Sequence, residues 1–215
     1  MLRVLPRYIV YMRSLKESIL STSKVGKYDE WNTFKRESAH PKRKDELKNI
    51  IKKAIELKGL KVDLNWIDTS AIDDMGSLFV NSAFNGDISK WDVSNVKNMN
   101  YMFMGSKFDG DISKWDVSHV TDMYAMFERS GFDGDISKWD VSNVVTMAYM
   151  FWGAKFNGDI SEWDVSNAVN MTAMFRQAWN FRGDLSKWDV RSLKAEYNMF
   201  AECPLSKNAP AWYKG

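Results

Sequence analysis

Trp91-Asp92-Val93-Ser94-Asn95-Val96, followed by Met99, Met102 and Phe103, is the phrase on which the fold turns. It returns at Trp115, Trp139 and Trp163, each 24 residues after the last, and once more at Trp188. A fixed period of this length is the mark of a repeat architecture. Each copy is too short to bury its own apolar side chains, so the copies must stack. A degenerate first copy precedes them, with Asp63, Leu64, Ile67, Asp68, Ser70, Ile72, Met75 and Phe79 in the expected slots and Ile67 where tryptophan stands later. The last copy follows a one-residue insertion near Trp179 and carries Glu196 in place of its first methionine.

Two periods alternate within a copy. Trp91-Asp92-Val93 alternates apolar and polar residues, as a short half-buried strand does. Val96, Met99, Met102 and Phe103 recur at three and four, as one face of a short helix does. Ser94 or Asp92 is placed to accept the free amides of that helix's first turn. Asn85-Gly86, Asp109-Gly110, Asp133-Gly134 and Asn157-Gly158 are turn dipeptides. The fold class expected is therefore an α/β solenoid, leucine-rich-repeat-like, with about six coils. Each coil would hold a short parallel strand plus a short helix.

Repeats of the form Trp-Asp-Val-Ser-Asn-Val-x-x-Met-x-x-Met-Phe, as at 91–103 and 139–151, resemble those of the BspA-like leucine-rich-repeat surface proteins. The resemblance covers roughly residues 62–203. It implies a leucine-rich-repeat-like solenoid used for adhesion or binding, with no catalytic residues to carry over. The opening Arg13-Ser14-Leu15-Lys16-Glu17-Ser18 is similar to starts of small bacteriophage proteins, which implies a phage-encoded member.

The repeats divide the chain into a basic arm and capping helix at 1–61, the solenoid at 62–203 and a C-terminal tail at 204–215. The net charge of +2 conceals an asymmetry: residues 1–61 hold 16 Lys and Arg against 7 Asp and Glu, and the remainder holds 14 against 21. Such a basic arm suits nucleic acid, a membrane or the chain's own acidic body. Within it, Leu47, Ile50, Ile51, Ala54 and Leu57 recur at helical spacing over 45–58, with Asp45 and Glu46 at the start and Gly59 at the stop. An amphipathic helix ahead of a repeat array is expected to cover its first coil. Lys42, Arg43 and Lys44 form a basic cluster that would serve an alternative nucleic-acid-binding function. Ser23-Lys24-Val25-Gly26-Lys27 lacks the glycine spacing of a phosphate loop. Met1–Met12 is not read as a signal peptide, Met12 is a second possible start, and a cytoplasmic location is favoured over the cell surface.

Catalysis finds little support. His40 and His119 are the only histidines and Cys203 the only cysteine, so no metal spacing recurs, and neither a metal nor a cofactor is expected. The ladder Asp92, Asp116, Asp140, Asp164 and Asp189 reads as structural capping. Asp87, Asp111, Asp135 and Asp159, beside Asp109 and Asp133, offer too few assured oxygens for calcium. Function is expected where the copies differ, since Trp, Tyr and Arg dominate interface energies. Tyr124, Tyr149, Trp152, Arg176 and Trp179 are the candidate anchors for a protein partner. The function expected is a non-enzymatic protein–protein interaction or adhesion module.

Overall fold

The computed structural model describes residues 30–215. The expectations for the start of the chain (a phage-like opening, a second start at Met12, no signal peptide, no phosphate loop at 23–27) lie outside these residues. The chain divides into two compact units at Ala39/His40. In the first, residues 30–38 form helix α1, with Trp31 and Phe34 in ring contact and Lys35 over the Trp31 ring.

The second unit opens with helix α2, Lys44–Lys58, which buries Leu47, Ile51 and Ala54 and carries Asp45 and Glu46 in its first turn. Gly59, at φ 86°, ends it and donates to the Ile55 carbonyl at 2.7 Å. The expected helix is present, and it lies against the first coil. Lys44 Nζ reaches Asp74 at 3.0 Å, and Ile51 and Ile55 share a groove of about 480 Å³ with Leu78 and Phe79.

The coils themselves correct the α/β expectation. Among the described residues the repeats contain no strand and no α-helix. They are joined by single parallel bridges, Asp74 to Asn98 to Asp122 to Thr146 to Asn170 to Ala195. What was read as a helix face is a succession of turns. The Val93 carbonyl accepts from Val96, Met99 from Met102, and Phe103 from Ser106, each three residues on, as Ile88 does from Trp91. The buried residues stand at the two ends of each turn, so they recur at three just as on a helix. The residue before each turn caps it: Asp87 Oδ1 accepts the Ser89 amide, Asp92 that of Ser94, and Asn98 that of Asn100. The aspartate ladder is thus a capping ladder, of turns rather than helices.

Between coils the bonds run mostly one way. Amides of Met75, Ser77, Phe79 and Asn81 donate to carbonyls of Asn98, Asn100, Met102 and Met104, and the next coils repeat this. Fewer bonds return, from Lys97 to the Asp73 carbonyl at 2.8 Å and from Lys107 to that of Ser82 at 3.0 Å. A parallel ladder needs bonds in both directions, so one bridge per coil is all that forms. The turns rotate the other peptides into line. They do so by placing every fourth residue at positive φ, as at Ser77 and Asn81, Tyr101 and Gly105, Tyr149 and Gly153.

Inside, the side chains stack rung on rung. Phe79, Phe103, Phe127, Phe151, Phe175 and Phe200 follow one another at 5.5–5.9 Å. Phe84, Phe108, Phe132, Phe156 and Phe181 run beside them. Each tryptophan indole donates to a carbonyl of the coil before, Trp91 to Leu64, Trp115 to Ile88, Trp139 to Ile112, Trp163 to Ile136 and Trp188 to Ile160, at 3.0–3.2 Å. Trp212, in the segment read as a tail, continues this series: it donates to Leu185 at 2.8 Å and stacks on Trp188. Glu196 accepts the Lys214 amide, which ties the same segment to the last coil.

Two predictions follow from these ladders. Trp139→Phe keeps most of the ring but leaves the buried Ile112 carbonyl unmatched, so unfolding in urea should show a loss of about 1–3 kcal/mol. Acid should act through the turn caps. The Asp68 carboxyl is lowered to about 2, chiefly by the Ser70 hydroxyl and then by His40. Asp111, Asp135, Asp159 and Asp184 are lowered chiefly by the amide two residues on, and Asp116 and Asp164 by the serine hydroxyl there. A depressed folded-state pKa contributes stability that is present above the ordinary value of 3.8 and is lost as pH falls through the folded value, about 2 for Asp68. Thermal midpoints from these caps should hold steady above pH 5 and drop steeply on acidification below about pH 4.

Candidate interaction face

The two positive-φ turns of each coil set the geometry of one face. Ala125 and Ala173 at these corners are buried, but Tyr101, Arg129, Tyr149 and Glu202 reach the surface, and the regular stacking sets corners of successive coils side by side. Where the copies agree, these corners would be monotonous; here they differ.

Tyr101, Tyr124 and Tyr149 occupy corners of three successive coils, with ring centroids 5.1 and 5.4 Å apart and steep mutual angles. Tyr149 meets Trp152 at 5.6 Å. Trp152 has the Arg129 guanidinium 4.6 Å from its ring centre and that of Arg176 at 5.7 Å. Its indole nitrogen donates to Gln177 Oε1 at 3.0 Å, and Gln177 passes the chain on to Glu202 at 2.9 Å. Arg176 lies 3.5 Å from the same carboxylate, and its Nε is buried without a partner. Burial, followed by the hydrogen bond with Tyr101, pushes the Tyr124 hydroxyl up to about 12, so it stays neutral near pH 7. Burial also pushes the Glu128 carboxyl up, against the pull of Arg129.

Four of the five residues singled out by sequence, Tyr124, Tyr149, Trp152 and Arg176, come together on this face. Trp179 does not join them. It is 64% exposed in the longer corner between Ala178 and Asn180, outside the ring contacts that link the others. Tyr101, Arg129, Gln177 and Glu202 were not singled out, although all stand at variable corners. The signal that marks them is positional: Tyr101 holds the slot of Tyr149 two copies on, and Arg129, Gln177 and Glu202 share the slot next to that of Trp152 and Arg176. Gly153 belongs here too: at φ 63°, it makes room for the Arg129 stem, whose Cγ would lie 3.3 Å from any added Cβ.

The other sequence candidates fall elsewhere. Arg43 pairs with Asp45 at 3.2 Å and Glu46 at 3.1 Å, and Lys44 with Asp74. The Lys42 amide is bound by Glu46 at 2.7 Å. The carboxylates and amides weighed for calcium serve the stack instead. Asn85, Asp109, Asp133 and Asn157 each accept a backbone amide of the next coil through Oδ1 at 2.7–3.0 Å. Either residue type supplies that oxygen, which explains their interchange. Among the described residues no three His, Cys, Asp or Glu side chains are placed to hold a metal ion. None of the described helices is long and apolar enough to cross a membrane.

A family model described as "Mycoplasma protein of unknown function, DUF285" matches the chain over residues 45–154 and again over 107–212. The chain belongs to this family. The DUF285 matches take in α2, every coil and Trp212. Neither a curated protein nor a solved structure matches the chain.

Substitution at Gly153 tests how the face is held. Gly153→Val places a branched side chain at positive φ against the Arg129 stem. A stability loss of about 1–2 kcal/mol is expected in denaturant unfolding.

Proposed function

We propose that the protein is a binding module for a protein partner, built on a rigid stack of coils and acting through the Tyr101–Tyr124–Tyr149–Trp152–Arg176 face. One observation carries this reading: large aromatic and arginine side chains at the corners are mutually in contact across adjacent coils, while the core positions of the same coils are nearly invariant. Interface hot spots are built from these residue types, held in place by their neighbours. The resemblance of the repeat phrase to BspA-like surface proteins supports the same reading, and extends it to adhesion. The alternative of nucleic-acid binding through Lys42, Arg43 and Lys44 has less support, because Arg43 and Lys44 are already paired with carboxylates.

Replacing Trp152 and Arg176 together by alanine should leave the circular dichroism spectrum native and weaken capture of the partner from a lysate of the native host by about 30-fold or more. An unchanged set of captured proteins would show that this face is not the binding surface.

A further inference from the structure

Arg129 is the one guanidinium of this face with no acid of its own. Its stem lies along Gly153, its head rests over the Trp152 ring at 4.6 Å, and the residue is exposed. Among the described residues it makes no ion pair, although its charge pulls on the Glu128 carboxyl beside it. On the same indole, Arg176 has only the long 3.5 Å contact to Glu202, whose other oxygen is engaged by Gln177, and an orphaned Nε. Packing therefore holds two planar cations in place, with the exposed Arg129 head unmatched; the orphaned Arg176 Nε is buried, so Arg176 meets a partner only through its terminal nitrogens. An arginine held over a ring keeps its in-plane N–H groups free for a carboxylate. The neighbouring Tyr124 and Tyr149 rings offer an apolar wall beside those donors.

We propose that the Arg129–Trp152–Arg176 sandwich recognises a side-chain carboxylate in an exposed acidic segment of the partner, with an adjacent apolar or aromatic residue resting on Tyr124 and Tyr149. A polyphosphate backbone also suits guanidinium groups, but the surroundings oppose a dense polyanion. Glu128 and Glu202 flank the sandwich, and residues 62–215 carry 21 Asp and Glu against 14 Lys and Arg. One or two carboxylates spaced along a peptide satisfy the free donors without that repulsion.

This inference rests on the reading of the face as a protein-binding surface, and one experiment separates the two. The full chain is applied to an array of synthetic peptides in which carboxylate content and aromatic content vary independently, with a single-stranded oligothymidylate as comparator. Peptides that pair an acidic with an aromatic residue should be retained best, and their Asp→Asn or Glu→Gln counterparts should bind about tenfold less. Arg129→Ala should abolish that preference, and Arg129→Lys should restore little of it, since lysine keeps the charge but not the planar fork. Both variants should keep the native thermal midpoint, because the side chain is exposed. If retention is lost in Tyr124→Ala but is indifferent to carboxylate content or to Arg129→Ala, the face stands and the carboxylate assignment falls. If no peptide is retained, both fall. Preferential retention of the oligothymidylate would overturn the peptide assignment.

Discussion

Every feature of this protein depends on the direction of its coil-to-coil hydrogen bonds. In an ordinary parallel sheet, amides alternate between the two neighbours of a strand. Here the amides of Met75, Ser77, Phe79 and Asn81 all point to the following coil, and the carbonyls they meet all point back. That alignment requires a sharp turn every four residues with its third residue at positive φ, and it is why tyrosine, alanine, arginine and glutamine occupy a region that usually favours glycine. Each such residue costs roughly 1–2 kcal/mol against an extended conformation. The stack offsets this through repeated backbone bonds and fully buried phenylalanine, methionine and tryptophan rungs.

The same constraint creates the face proposed for binding. Corners of these turns recur at a fixed spacing, so a column of corners becomes a surface whose chemistry is written by the one or two residues per copy that reach it. Trp152 shows how such a column gains rigidity. The glycine next to it admits a neighbouring arginine stem, that arginine covers the indole, and the indole nitrogen is held by Gln177. A face assembled in this way is preorganised, which reduces the ordering cost of binding. The scaffold and the variable side chains are thus separate layers of one design, and the variable layer can change without touching the core.

The ends of the stack are finished differently. At the start, α2 brings Leu47, Ile51 and Ala54 against the first coil and anchors through Lys44 and Asp74. At the finish, Trp212 supplies one more indole rung and Tyr213 lies edge-on to Phe200. Glu196, a polar residue in a methionine slot, makes sense in this setting because it receives the Lys214 amide.

Sequence alone determined the repeat, its period and its register, the buried residues, the capping role of the aspartates and the helix that closes the first coil. These follow from patterns local to one copy or from exact recurrence between copies. It also placed the variable positions, four of which meet on one face. It misassigned the element within each coil. Apolar residues three apart satisfy the ends of a hydrogen-bonded turn as well as the face of a helix, and Val96, Met99 and Met102 carry nothing that tells these apart. The distinction rests on where the amides go: in a helix to the same segment, here to the next coil, a partner 23 residues away in the chain. For the same reason Arg129, Tyr101 and Trp212 acquired their roles only in the folded protein. Each acts through a residue one coil distant, and only tertiary stacking decides which corners touch.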